Sequence, residues 1–314
     1  METINEQNTA SSAVERVSVW KLSNISWRAL WKRVWLEIYE GSMLTHAAAL
    51  SFYFLLALFP LMLFLITILG FFTDSGTELR SQLLATLSRV IPYSASTLIY
   101  TTVDEIGQNA DGSKLSFGIL TALWIASSGM GAISEALNAM YGVKESRPWW
   151  KVRLASVGLT VALAVLIISA LLLILYGGEV GEAITNYFNQ TKDFETFWIV
   201  AQVPVVLAFV LLAFAMIYYF APNLYDQKWY WITPGSIIGI LLWLLVSFLF
   251  RIYLRYFDSY SLTYGALGAV IVLMLWFYLT GIAILIGGKI NAEIEGAAAE
   301  IGLAGAKHHG DKAL

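Results

Sequence analysis

The sequence predicts an all-α, polytopic membrane helical bundle with six transmembrane helices, N-in/C-in, preceded by an amphipathic interfacial helix. Three observations predict it. Apolar residues make up 58% of the 314 positions and charged residues only 13%, too few charges to build the surface of a soluble domain of this length. The apolar residues are grouped into runs of about 20, the length that crosses a bilayer as a helix. The Lys and Arg residues gather in alternate connections between those runs, as the positive-inside rule requires. The chain has no cysteine, which excludes disulfides, thiol catalysis and cysteine metal sites. Its net charge of −3 argues against a nucleic-acid partner.

Residues 1–43 read as a cytoplasmic N-terminal segment. Met1 to Val19 is polar and mixed in charge; it lacks the basic-then-apolar order of a cleavable signal peptide, and none is expected. Over about 26–40, Trp27, Leu30, Trp31, Val34 and Ile38 recur at helical spacing with Arg28, Lys32 and Arg33 among them. Indole rings and basic side chains on one helix suit the headgroup plane; a helix packed on other protein has the same pattern. The first span is expected at 44–72, containing His46 and Pro60.

Segment 73–114 interleaves leucines with charge and predicts two short amphipathic helices outside the membrane, parted near Pro92. Span two, 115–136, carries two ladders of small residues, Gly118, Ala122 and Ala126, then Ser128, Ala132 and Ala136. Small residues let helix backbones approach closely in lipid, which places this span at the centre of the bundle. Spans three (154–176) and four (197–220) flank an acidic loop with Glu179, Glu182, Asp193 and Glu195. Span five, 232–251, has Pro234 in its first turn and Gly235 and Gly239 in small-xxx-small spacing. Span six covers 264–288, and residues 291–314 form a charged cytoplasmic tail containing His308 and His309.

This topology puts thirteen of the 19 Lys and Arg residues inside and six outside. The opposite orientation inverts the excess, so both termini are expected in the cytoplasm of a bacterium. The membrane is then the cytoplasmic (inner) one.

Several motifs, in order along the chain, resemble the BrkB/YihY family of bacterial inner-membrane proteins. They begin with His46-Ala-Ala-Ala-Leu-Ser-Phe-Tyr53 and Leu58-Phe59-Pro60. Asn138-x-x-Tyr141-x-Val143-x-Glu145-x-Arg147, Tyr219-Phe220-Ala221-Pro222-Asn223 and Pro234-Gly235 follow. Tyr264-Gly265-x-Leu267-Gly268-Ala269, Trp276 and Asn291-Ala292-Glu293 complete the set. The resemblance covers about Thr45 to Glu295 and implies six helices and a role in envelope biology, including lipid or lipopolysaccharide export. One position departs from it: Lys289 stands where the family often carries an acid. The family has also carried the name ribonuclease BN. That name finds no support in this sequence, because a metal-dependent nuclease needs clustered His and Asp ligands and the chain has three His, two of them adjacent.

Ionisable and amide side chains at membrane depth are functional candidates. His46, Glu135, Asn138, Asn223, Asn291 and Glu293 all fall at the cytoplasmic ends of their spans. They predict one polar layer or vestibule there, with Glu135 and His46 facing each other as its titrating members. Residues at helix ends simply placed at the polar interface fit the same positions. On the outer side, Arg251 and Arg255 lie one turn apart and suit either an anion site for phosphate headgroups or snorkelling to the interface.

Two functions of different class follow. One is a transporter or flippase-like carrier of an amphipathic envelope molecule; the other is a non-transporting scaffold or envelope assembly factor. No nucleophile–base pair, metal-ligand spacing or Walker motif occurs, so enzymatic activity, metal and other cofactors are not expected. The expected partners are membrane lipids and envelope proteins, with self-association left open.

Overall fold

The computed structural model describes residues 27–39, 42–72, 112–187, 192–224, 233–256 and 259–300. All but a few turn residues in them are helical. The helices are α1 (Trp27–Tyr39), α2 (Met43–Phe72), α3 (Gly112–Tyr141), α4 (Trp149–Tyr187), α5 (Lys192–Phe220), α6 (Pro234–Tyr256) and α7 (Ser259–Glu300). Residues 73–111 of the expected outer segment 73–114 and the end of the tail, with His308 and His309, lie outside the described residues, and 112–114 begin α3.

Among the described residues, four stretches are long and apolar enough to cross a membrane: Trp149–Ile174, Ala201–Phe220, Pro234–Leu254 and Val270–Ala297. Trp31–Tyr39 and Met43–Leu58, bent by 66° against each other, make a fifth if taken as one span. The helices from α3 to α7 all outrun the expected spans, α4 and α7 by the most. α4 continues through Glu179 and Glu182 to Tyr187, so the acidic residues expected in a loop are helical; Glu and Ala are good helix formers and no proline intervenes. α7 likewise runs past Asn291 through an Ala- and Glu-rich stretch to Glu300.

The packing order follows the chain. α2 packs on α3, α3 on α4, α4 on α5, α5 on α6, α6 on α7, and α7 returns to α2 and also crosses to α3. α1 lies on α7. Among the described side chains, the buried ones gather at one end of this ring, here called the packed end. It takes in Met43, Ala47 and Leu50 of α2, Ile133 to Tyr141 of α3, Phe214 to Ala221 of α5, Ile240 of α6 and Ala283 to Ile294 of α7. Further from that end, large apolar side chains are exposed: Phe52 and Leu56 on α2, Leu120 on α3, Val203 and Leu207 on α5, Leu245, Phe248 and Leu249 on α6, and Ile271 on α7.

Backbone proximity makes the packed end possible. Gly235 and Gly239 face neighbouring helices, as their spacing predicts. A Cβ at Gly235 would collide with the Gly287 carbonyl and stand 2.5 Å from the Asn291 side-chain oxygen. At Gly239 it would stand 2.7 Å from the Tyr218 hydroxyl and 3.2 Å from Phe214. Tyr218 fills the space left by Gly239 on α6 and Gly287 on α7. Its hydroxyl donates to the Ile284 carbonyl at 2.8 Å, so a buried phenol is satisfied by α7 while its ring packs against α6.

Candidate functional site

The packed end is built from helix termini, where backbone groups lack intrahelical partners. α3 stops at Gly142, whose φ of 66° is the left-handed conformation that glycine adopts without Cβ strain. Gly142 N donates to Ala139 O and Val143 N to Asn138 O, at 3.0 and 2.9 Å, the paired bonds of a Schellman cap. The cap turns the chain so that Val143 joins Tyr141 and Ala292 in a small apolar cluster, and the loop 143–148 runs back along the bundle.

Asn138 joins that loop to the end of α5. Its side-chain oxygen accepts from Asn223 N at 2.6 Å, and its amide donates to Glu145 at 2.9 Å. Asn223 in turn donates to Lys144 O and to Ser146 Oγ. Arg147 holds Glu145 through two side-chain bonds at 2.8 Å and reaches Ser134 Oγ and Ala221 O at 3.1 and 3.0 Å. Ser134 also donates to Ala221 O. Two motifs that the sequence presents separately, Asn138 to Arg147 and Tyr219 to Asn223, thus form one hydrogen-bonded body.

Partial burial pushes the Glu145 carboxyl up, but the hydrogen bonds and charge of Arg147, with the Asn138 amide, outweigh it and hold the carboxyl below its usual range. A folded value below the unfolded one means that the stabilisation is complete above the ordinary value of 4.5 and is lost as pH falls through the folded value. Glu145→Gln should therefore flatten the acid limb of a pH–stability curve while keeping the fold at neutral pH. An acid limb identical to that of the parent protein would contradict this.

Asn291 performs a second junction. Thr233 caps α6: Ser236 N donates to Thr233 Oγ1 at 3.1 Å and Thr233 N to Ser236 Oγ at 2.9 Å, a reciprocal capping arrangement. Pro234 has no N–H to satisfy. The remaining first-turn donor, Gly235 N, is taken by Asn291 Oδ1 at 2.9 Å, and the Asn291 amide donates to Thr233 Oγ1 at 3.1 Å. Tyr141 also lies beside Asn291, which links this junction to the end of α3.

A third arrangement is ionic. Lys289 contacts Glu37 at 3.2 Å and Glu293 at 3.0 Å, and Glu293 also contacts Arg33 at 3.3 Å. The Lys289 and Glu293 side chains are only 6% and 8% exposed, so the pair is desolvated. Two acids and two bases balance, and they fasten α1 to α7 beside the apolar contacts of Val34 with Ile290 and Ile294.

Of the residues expected to form a polar layer, the structure joins Asn138 directly to Asn223, while Asn291 and Glu293, two positions apart on α7, point to different sides of that helix and hold partners of their own at the start of α6 and on α1. Glu135 is different. It is exposed, on the same outward strip of α3 as Trp124 and Ser128, and no hydrogen bond or ion pair joins it to the half-buried His46. The expected facing pair is corrected on that ground: Glu135 is level with the layer but points away from it, because its neighbours Ser134 and Ala136 occupy the inward angles. Glu135→Gln should accordingly change stability by less than about 0.5 kcal/mol, additively with His46→Gln. Measured coupling between the two by thermal melting would restore the pairing.

Arg251 is exposed near the end of α6 remote from the packed end, and the Arg255 side chain lies outside the described residues. Sequence reasoning missed Arg33, Glu37 and the role of Lys289. The signal was present: Arg33/Glu37 and Lys289/Glu293 are both opposite-charge pairs at i, i+4. Among the described residues no three His, Asp or Glu side chains gather as metal ligands.

The chain matches the family model described as Virulence factor BrkB over residues 34–309. It is 37% identical to the ribonuclease-like protein YfkH of Bacillus subtilis over 255 residues, 81% of this chain and 90% of that protein. It is 32% identical over 167 residues to the UPF0761 membrane protein IL2447 of Idiomarina loihiensis, 53% of this chain and 56% of the relative. A UPF0761 membrane protein of Alteromonas mediterranea is 27% identical over 263 residues, covering 81% and 84% of the two chains. No solved structure matches.

Proposed function

The chain belongs to the Virulence factor BrkB family and is an integral membrane protein, and from that premise we propose that it carries an amphipathic envelope lipid across the bacterial inner membrane. The observation that carries this reading is the unequal packing along the bundle. At one end, glycine contacts, the Tyr218 bond and three polar junctions lock the helices together. Further along, large apolar side chains among the described residues of α2, α5, α6 and α7 stay exposed. A bundle locked at one end can part its helices further along to admit an acyl chain without breaking its core.

Gln202 Nε2, Ser247 Oγ and Thr280 Oγ1 add support. They are buried polar atoms without a hydrogen-bond partner among the described residues, on α5, α6 and α7. Buried polar groups normally find a partner, and a lipid headgroup in transit would supply one. In this reading α2 to α7 make six spans and the packed end faces the cytoplasm, the orientation favoured by the distribution of Lys and Arg.

Reporter fusions after Ser146 and Leu314 are expected to read cytoplasmic, and fusions near Asn109 and Asn189 external; an external signal at Leu314 would remove the six-span topology. Transport is tested in proteoliposomes carrying fluorescent phospholipid, with an impermeant quencher outside. A carrier exposes inner-leaflet lipid to the quencher. Quenching equal to that of protein-free vesicles, across anionic and neutral lipids, would favour the scaffold, a reading the fully bonded polar junctions at the packed end also suit.

A further inference from the structure

Helix α1 has two sides of different make-up. One side is spent inside the chain. Val34 packs on Ile290 and Ile294 with Ile38 alongside, and Arg33 and Glu37 pair with Glu293 and Lys289 of α7. The other side carries Arg28, Trp31, Lys32, Trp35, Leu36 and Tyr39. These residues are linked by steps of three and four positions, so they adjoin on one face of the helix, and all of them are exposed. Trp35 and Tyr39 are 65% and 82% accessible.

Two features set what this face meets. The first is direction. α1 is bent by 66° against α2, so the two cannot both run along the membrane normal. Its seat on α7, Lys289 to Ile294, lies towards the end of the apolar stretch Val270–Ala297, where a span approaches the headgroups. The second is charge. The one acid of α1, Glu37, is turned to Lys289, which leaves the outward face with Arg28 and Lys32 and no carboxylate. Water alone does not suit so many exposed rings, and a protein partner would have to cover two cations that have an anionic surface beside them in the membrane.

We propose that the outward face of α1 docks on the surface of an anionic lipid leaflet, with the Trp31, Trp35 and Tyr39 rings among the headgroups and Arg28 and Lys32 against their negative charge. Tryptophan and tyrosine belong at this depth of a bilayer, and a basic helix with an aromatic face lies in the headgroup plane. Arg33 and Glu37 meanwhile hold the same helix to α7, so α1 ties the packed end of the bundle to the charge of the surrounding lipid. The surface requires no transport and holds for a carrier and a scaffold alike.

The chain has no cysteine, so Tyr39→Cys and Lys144→Cys each give one attachment point for a fluorescent label in the full-length protein. Both residues are exposed, and only the first lies on the proposed surface. The labelled proteins are placed in nanodiscs of phosphatidylcholine and phosphatidylglycerol with some lipid carrying a nitroxide high on its acyl chain. The label at 39 should be quenched by that lipid and sheltered from aqueous acrylamide, while the label at 144 stays open to acrylamide. Arg28→Gln combined with Lys32→Gln should lower the docked-to-undocked ratio at 39 by about fivefold for each cation removed. Nanodiscs of phosphatidylcholine alone should lower it in the same way. Trp35→Cys, on the same face, should repeat the result at a second position. Equal exposure of the labels at 39 and 144 overturns the proposal, as does lipid quenching indifferent to phosphatidylglycerol or to the two cations. Shelter from acrylamide without lipid quenching also overturns it, since protein, a second copy of the chain included, would then cover the face.

Discussion

Gly235→Ala should be among the most damaging single-methyl substitutions in the chain. The added carbon has nowhere to go: it meets the Gly287 carbonyl of α7 on one side and the Asn291 side-chain oxygen 2.5 Å away on the other. The first obstacle is backbone, so no rotamer change relieves it, and α6 must move away from α7. Overpacking of this kind costs about 1–3 kcal/mol and sometimes more. The same displacement breaks the bond from Gly235 N to Asn291, a helix-capping interaction worth about 1 kcal/mol. The expected result is a large fall in melting temperature in detergent, accompanied by reduced yield of monodisperse protein. Gly158→Ala is the control, since nothing stands within 4 Å of a Cβ there. Equal melting of the two variants would mean that α6 and α7 do not approach as closely as their glycines allow.

Gly239→Leu acts through the same contact but against a side chain. Tyr218 stands 2.7 Å from the new Cβ and its hydroxyl is tied to Ile284 O, so the larger residue must displace a buried hydrogen-bonded ring. The small-xxx-small spacing made this face of the helix legible in the sequence. What it could not reveal is the partner, because Tyr218 and Gly287 are separated from Gly239 by long stretches of chain.

The same division runs through the rest of the molecule. Helices were legible because apolar runs report burial in lipid directly, and their ends shifted outward, furthest where Glu179 and Asn291 continue a helix beyond the apolar stretch. The level of each polar residue along the bundle was legible from span ends. Its angle around the helix was not. That is why Asn138 and Asn223 meet across 85 positions as their level suggests, while Glu135, at the same level, faces outward. The position that departs from the family's usual acid, Lys289, turned out to be the centre of an ion network, since its charge is complemented by Glu37 from an element outside the bundle core. A reading confined to span ends had no reason to look to α1 for the missing carboxylate.

Breaking that network should have the second large effect, and its sign depends on how it is broken. Glu293→Ala removes the carboxylate shared by Arg33 and Lys289. Arg33 is 47% exposed and can turn to solvent; Lys289 is 6% exposed and cannot. Its ammonium is left with Glu37 alone. Removing one partner of a buried pair typically costs about 3–5 kcal/mol, because the remaining charge stays desolvated. Lys289→Met with Glu293→Leu removes both charges together, and apolar replacements of a buried pair are often neutral or stabilising. Single variants should therefore melt well below the parent protein, while the double variant melts near it or above. That ordering separates an ion network that fixes the seat of α1 from one that contributes net stability. The location of α1 supplies an independent readout: limited proteolysis should cut the Trp27–Tyr39 region faster in Glu293→Ala than in the double variant, where Val34 can still pack on Ile290 and Ile294. A double variant as unstable as either single one would mean that the charges themselves, and not the avoidance of an unpaired one, hold this end of the bundle together.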